Sequence, residues 1–400
     1  MKKWFLIFFV FSALFATAQK LTAIRPIKGM VRLLEKDLAD AATQYAVLAK
    51  ARPADKFPKT FFPSTGAYEF SNSGWWCSGF YPATLLALYQ ETSAGELGTE
   101  ALRMLELLKK EQYNSGTHDL GFMMYCPFSA AKKVFPAEKS YDSILMNSAR
   151  SLATRFDPKV GCIKSWNSKE GDFLVIIDNM MNLELLFWAT KYSGDSSFYK
   201  MAVTHANTTL LNHFRPDHSS YHVVNYNRET GAVQKKQTAQ GAADSSAWAR
   251  GQAWGLYGYT MAYRETKDPR YLQQAKDIAA FILHHPRLPA DNIPYWDFDA
   301  PGIPGALRDA SAAAIISSAL LELLEYTDSA TAQQYFKHAE KTLQVLSTPA
   351  YKAAPGKNGG FILMHGVGHN PNNTEVDVPL TYADYYFVEA IERYLSVTSK

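Results

Sequence analysis

The chain has 400 residues, 47% of them hydrophobic and 20% charged, ordinary proportions for a globular protein with a large core. Its 41 Lys and Arg against 38 Asp and Glu leave a net charge of +3, too small and too evenly spread to argue for nucleic acid or an anionic membrane as partner. Three cysteines, Cys77, Cys126 and Cys162, are too few and too irregularly placed for a disulfide framework or a zinc site. They read as small buried apolar residues, with one bridge feasible in an oxidising compartment.

In chain order, Lys2 and Lys3 precede an apolar run from Trp4 to Phe15 and then Ala16-Thr17-Ala18, the layout of a secretory signal with its cleavage site. The run is shorter than the roughly 20 residues a membrane-spanning helix needs, and no later stretch is comparably uncharged. The mature chain is therefore expected to begin near Gln19, to be exported to a periplasm or to the exterior, and to have no membrane span. No linker or low-complexity stretch interrupts residues 19–400, which read as one domain.

After a helix expected near Val31–Ala49, a block recurs: an apolar helix, a short polar turn, then an amphipathic helix. The copies are TLLALYQETSAGELGTEALRMLELLKK from Thr84, ELLFWATKYSGDSSFYKMAVTHANTTLL from Glu184, GYTMAYRETKDPRYLQQAKDIAAFIL from Gly258 and ALLELLEYTDSATAQQYFKHAEKTLQVL from Ala319. A recurring unit of this kind must stack on its neighbours. In the second helices, positions such as Tyr271, Ala275, Ile278, Ala279 and Ile282 keep the spacing of a surface helix. The first helices, such as Met180–Trp188 and Ala310–Leu324, are apolar over most of their circumference and must be enclosed by protein. A helix near Ser140–Arg155 and a closing helix at Tyr382–Leu395 bring the total to about a dozen. An inner ring of buried helices inside an outer amphipathic ring satisfies both patterns. The expected fold is all-α, a six-hairpin (α/α)6 toroid, with an open solenoid as the alternative.

Loops before the inner helices gather Trp75-Trp76, His118-Asp119, Trp166, Asp178, Tyr221-His222, Gln240, Trp248, Arg250, Trp254 and Tyr295-Trp296. Aromatic rings beside polar groups suit a sugar, whose C–H faces stack on rings while its hydroxyls seek hydrogen bonds; each Trp is equally explained by packing alone. Asp178 follows a β-like run, Phe173–Ile177, and precedes an apolar helix, so a helix cap would account for it. The same explanation is preferred for Asp244 and Asp309. Asp119 lies in a segment, Thr117–Phe122, without helical spacing and without a capping duty. Asp119 and Asp178 are thus the candidate acid/base pair, since two carboxylates flanking one bond are the usual equipment for glycoside cleavage. Arg250 between Trp248 and Trp254 suits an anionic substrate group, against the plainer reading of a surface ion pair. His365 and His369 flank glycines and lack the carboxylate of a metal motif, so they read as a metal-free loop at the mouth of the site.

The segments HDLGF at 118, DNMMNLELLFWA at 178, QGAADSSAWARGQAWGLYGY at 240, RDASAAAIISSALLEL at 308 and DVPLTYADYYFVEAI at 377, taken as an ordered set, resemble glycoside hydrolase family 88, the unsaturated glucuronyl hydrolases. The resemblance runs from about Trp75 to the C-terminus. It implies a six-hairpin barrel without metal or organic cofactor, acting on small oligosaccharides made by glycosaminoglycan lyases. It implies that Asp178 protonates C4 of a C4=C5 double bond in the terminal sugar and draws a proton from the water that adds at C5. Asp119 would match the second essential carboxylate. His222, Gln240, Trp248, Arg250 and Trp254 would surround the unsaturated sugar, and Trp76, His118 and Trp166 correspond more loosely. The related unsaturated rhamnogalacturonyl hydrolases share the fold and the paired aspartates, though the Trp-Ala-Arg-Gly-Gln-Ala-Trp segment fits the glucuronyl group better. Two other readings compete: a polysaccharide lyase on a similar toroid, relying on Tyr and His, and a non-catalytic sugar-binding scaffold.

Overall fold

Apolar and amphipathic helices alternate along the chain, and the structure, a computed structural model describing residues 24–167 and 171–399, sorts them into two rings. The expected secretory signal lies outside the described residues. The outer ring holds α1 (Met30–Ala51), α3 (Gly95–Leu108), α5 (Ser140–Ala153), α7 (Ser196–Asn212), α9 (Pro269–His284) and α11 (Ser329–Leu346). The inner ring holds α2 (Phe80–Thr92), α4 (Cys126–Val134), α6 (Leu183–Ser193), α8 (Ala249–Thr266), α10 (Ala310–Leu323) and α12 (Thr381–Thr398). Every residue of α10 is buried, as is α8 from Ala249 to Ala262, whereas α9 buries one stripe, Tyr271, Gln274, Ala275, Ile278, Ala279 and Ile282. Burying an apolar side chain stabilises by roughly 1.5–3 kcal/mol, so helices without a polar face must lie inside.

Each repeat is one hairpin: α2–α3, α6–α7, α8–α9 and α10–α11 pack as pairs. In three of them the polar turn ends in an aspartate that caps the outer helix: Asp195 accepts from the Ser197 N–H, Asp268 from Arg270, and Asp328 from Ala330 and Thr331, satisfying donors the first helical turn leaves free. The last inner helix, α12, packs against α10 on one side and α2 on the other. That contact closes the ring, so the fold is an all-α (α/α)6 toroid and the open solenoid is excluded.

Short strands decorate the face where the inner helices begin. They are β1 (Phe57–Phe62) with β2 (Ala67–Ser71), β3 (Phe156–Asp157) with β4 (Cys162–Ile163), the antiparallel sheet β5 (Asp172–Ile176), β6 (Val223–Asn227) and β7 (Val233–Gln237), and the hairpin of β8 (Gly366–His369) and β9 (Thr374–Val378). The β-like run before Asp178 is thus β5, of the expected length but beginning and ending one residue earlier. A tight helical segment of two turns, Ile177–Asn182, then leads into α6. The segment after Asp119 departs from expectation, because Gly121–Tyr125 forms a wide helical turn that runs into α4. Gly121 makes this possible: a Cβ there would lie 2.5 Å from the Asn182 Cα, so only glycine lets the two segments meet. All three cysteines are free, with Cys77 and Cys162 buried.

Among the described residues no helix is long and apolar enough to cross a membrane.

Candidate active site

The six inner helices start on one face, and residues in or before the starts of four of them help wall a cavity of about 240 Å³. Trp75 and Trp76 precede α2, His118 and Asp119 the turn into α4, Asp178 lies before α6, and Arg250 is in the first turn of α8. Asp309 and Tyr382, at the starts of α10 and α12, contact Arg250 from behind. Inner-helix N-termini therefore point toward the cavity, and their partial positive charge favours an anionic ligand such as a uronate.

Asp119 and Asp178 both line this cavity. Asp178 makes no helix-capping bond, so the cap does not account for it. Its Oδ1 is buried without a hydrogen-bond partner. Burial pushes its carboxyl up to about 7, the Asp119 charge adds to the rise, and Arg250 opposes it. A carboxylic acid near neutral holds a proton it can deliver. Asp119 Oδ2 accepts from the Thr117 hydroxyl at 3.3 Å, and its Oδ1 lies 3.2 Å from His118 Nε2. Burial holds His118 below the usual histidine range.

His222 Nε2 stands 3.9 Å from Asp178 Oδ1. Its Nδ1 accepts the backbone N–H groups of Ala239 and Gln240 at 3.1 and 3.2 Å, which leaves the ring proton on Nε2. Burial, together with the Arg250 charge, keeps the imidazole well below its ordinary pKa. His222 is thus a neutral donor facing the Asp178 carboxyl. Trp166 meets it edge-on at 6.0 Å, and Trp248 packs against it at 4.5 Å.

Arg250 is 1% exposed, not the surface ion pair that its position allowed. It bonds to Asp309 at 3.3 Å and to the carbonyls of Val367 and Gly368, beneath the Trp248 and Tyr382 rings. Gln240 donates to the same Gly368 carbonyl at 3.1 Å. Together they hold the β8–β9 hairpin against the cavity.

The structure thus brings together Trp76, His118, Asp119, Trp166, Asp178, Gln240 and Arg250 on one cavity, with His222 against Asp178. It does not bring Trp254 there: that ring is fully buried between Phe122 and Tyr386 and supports Phe122, which forms the floor. Trp248 backs His222 and Arg250 instead of lining the cavity. Asp309 caps α10 through the Ser311 N–H as expected, and the same carboxylate also holds Arg250. Asp244 caps no helix; it accepts from the Thr238 N–H and pairs with Lys235, because α8 begins only at Ala249. His369 lines the cavity, whereas His365 turns away to Asp377 at 2.7 Å. Phe122, Ile176 and Ala239 are lining residues that sequence reasoning missed. Asn182 was missed too; its Oδ1 accepts from the Phe122 N–H, and its place inside the quoted segment after Asp178 was the available signal. Among the described residues no three His, Cys, Asp or Glu side chains come together as a metal site.

A closed helical toroid with two carboxylates and aromatic walls around one anion-friendly cavity defines a carbohydrate-active enzyme of the (α/α)6 class. No family profile matches the sequence, but individual proteins do. The chain is 45% identical to the unsaturated glucuronyl hydrolase of Formosa agariphila over 342 residues, 85% of each chain. The crystal structure of an unsaturated glucuronyl hydrolase specific for heparin superposes with a TM-score of 0.89 at 45% identity, covering 92% of this chain and 98% of that one. A mutant of the Streptococcus agalactiae unsaturated glucuronyl hydrolase complexed with dGlcA-GalNAc6S superposes with a TM-score of 0.78 at 26% identity, covering 94% and 98%. The chain belongs to the unsaturated glucuronyl hydrolases and is a glycosidase.

Proposed function

We propose that this enzyme is exported and releases the terminal 4,5-unsaturated uronic acid from disaccharides left by glycosaminoglycan lyases, with Asp178 as the acid. The Asp178 carboxyl gives its proton to C4, the C4=C5 π electrons forming the new C–H bond. Water then bonds to C5 and returns a proton to the Asp178 carboxylate. C5 now carries a hydroxyl and the ring oxygen. This hemiketal opens at its C5–O bond, and the aglycone leaves as an alcohol from C1 without direct attack there. In this reading His222 Nε2–H donates beside Asp178, Asp119 flanks the sugar from the other loop, and Trp75, Trp76 and Trp166 supply stacking faces. Arg250 and the helix N-termini favour the substrate carboxylate.

The observation that carries this reading is the state of Asp178: it lines the cavity, has one buried oxygen without a partner, and is held near neutrality by burial. The test follows the ultraviolet band of the conjugated alkene–carboxylate on unsaturated disaccharides of different sulfation. Wild type is expected to bleach it and Asp178→Asn to lose nearly all turnover with the fold retained. A variant with wild-type turnover, or a band that grows on the intact polysaccharide, would overturn the reading.

A further inference from the structure

The cavity is made of loops from different parts of the chain, and their relative placement decides where the two aspartates stand. Asp119 ends a loop that passes through Ser115. Asp178 follows β5, which is tied to a second loop: the Ser165 N–H donates to the Leu174 carbonyl at 2.8 Å, and the Ile176 N–H donates to the Ser165 Oγ at 2.9 Å. That second loop also carries Trp166.

One side chain joins the two. Arg155, just beyond α5, donates from Nε to the Lys164 carbonyl at 2.8 Å, from Nη2 to the Ser165 carbonyl at 2.9 Å and from Nη1 to the Ser115 carbonyl at 2.9 Å. The Lys164 N–H returns a bond to the Arg155 carbonyl at 2.9 Å. Loop carbonyls rarely converge like this without cause, because three acceptors from two segments need donors spread over a planar fork. Guanidinium offers that geometry and an ammonium does not. The chain of contacts thus runs from Ser115 through Arg155 and Ser165 to Ile176, two residues before Asp178.

We propose that Arg155 is a positioning residue for the reaction, fixing the spacing between Asp119 and Asp178 by clamping the loop that leads to Asp119 against the loop that holds β5, the strand just before Asp178. It does not line the cavity. The inference rests on the assignment of those aspartates in the proposed function.

The test measures kcat and KM separately on an unsaturated disaccharide for Arg155→Gln, Arg155→Lys and Arg155→Ala, with thermal unfolding of each. Displacing a reacting group by about 1 Å costs about 10²-fold in rate, so Arg155→Gln should lose kcat on that order while KM changes little. Arg155→Lys should be no better, since it keeps the charge and loses the span. Added guanidinium chloride, far below denaturing concentration, should restore part of the kcat of Arg155→Ala. Wild-type kcat in Arg155→Lys, absence of rescue, or a lower unfolding temperature with unchanged kcat would each overturn the inference. Asp178→Asn run alongside separates the two claims. If it stays active, the proposed function fails and takes this inference with it; if it is dead while Arg155→Gln is fully active, this inference alone fails.

Discussion

Asp178 Oδ1 and His222 Nε2 face each other across 3.9 Å, and neither atom has another hydrogen-bond partner. The gap is too long for a direct bond and suits an oxygen placed between them. With its Nδ1 occupied by two backbone N–H groups, His222 can only donate. The neutral ring is then a hydrogen-bond donor beside Asp178, and the proposed function gives the part of the acid to the carboxyl.

A first prediction concerns the pH profile. In the proposed function Asp178 acts only while protonated, and burial holds its carboxyl up to about 7. The kcat/KM of the free enzyme should fall about tenfold per unit above that value. Asp119→Asn removes the neighbouring charge that raises the acid, so the alkaline limb of its residual activity should move to lower pH. A limb that stays in place would deny the coupling between the two.

The same shift makes Asp178 costly to the fold. Its folded pKa lies above the ordinary 3.8, so the folded state keeps a proton that the unfolded chain releases, and stability falls as pH rises from about 4 to about 7. Asparagine does not ionise. Asp178→Asn should be more stable than wild type at pH 8, by up to roughly 4 kcal/mol, and gain nothing below about pH 4. Urea unfolding at the two pH values checks this, and an equal gain at both would count against burial as the cause.

Arg250 ties the cavity to the core, and in the proposed function it also favours the substrate carboxylate. Arg250→Met leaves Asp309, fully buried, without its countercharge, which costs about 3–5 kcal/mol. Adding Asp309→Asn preserves the α10 cap and removes the stranded charge. The double variant should recover most of the stability while KM stays raised. Thermal unfolding and steady-state kinetics separate the two effects; recovery of both together would make Arg250 a structural residue only.

The rings were legible because burial writes itself into periodicity: α10 has no polar stripe and α9 has one. Asp119 stood out because it had no capping duty in sequence, whereas Asp178 had a helix cap as its plain explanation and stood out only as a carboxylate to pair with it. The roles of Trp248 and Trp254 were not, since a tryptophan at an inner-helix start packs equally well toward the cavity or toward the next helix. Depth along the helix decides it, as Arg250 faces in while Trp254, four residues and one turn deeper, supports Phe122. Arg155 was hidden for another reason: its three nearest partners are backbone carbonyls, which leave no mark on residue type. Closure of the ring depended on α12 reaching α2, a contact between the two ends of the repeat series that no local pattern records.

Gly121 marks where these levels meet. It lies two residues after Asp119, and an added Cβ would come within 2.5 Å of the Asn182 Cα and 2.7 Å of its Oδ1, four residues past Asp178. Backbone atoms of the second aspartate's segment cannot step aside as a flexible side chain would. Gly121→Ala should therefore destabilise the fold by about 1–3 kcal/mol and, by forcing the two loops apart, lower kcat by about 10²-fold well below the unfolding temperature. Gly95→Ala is the control, because nothing lies within 4 Å of a Cβ there, and its kinetics should match wild type. If Gly121→Ala loses stability but keeps its kcat, the close approach serves folding alone and the spacing of the carboxylates is set elsewhere.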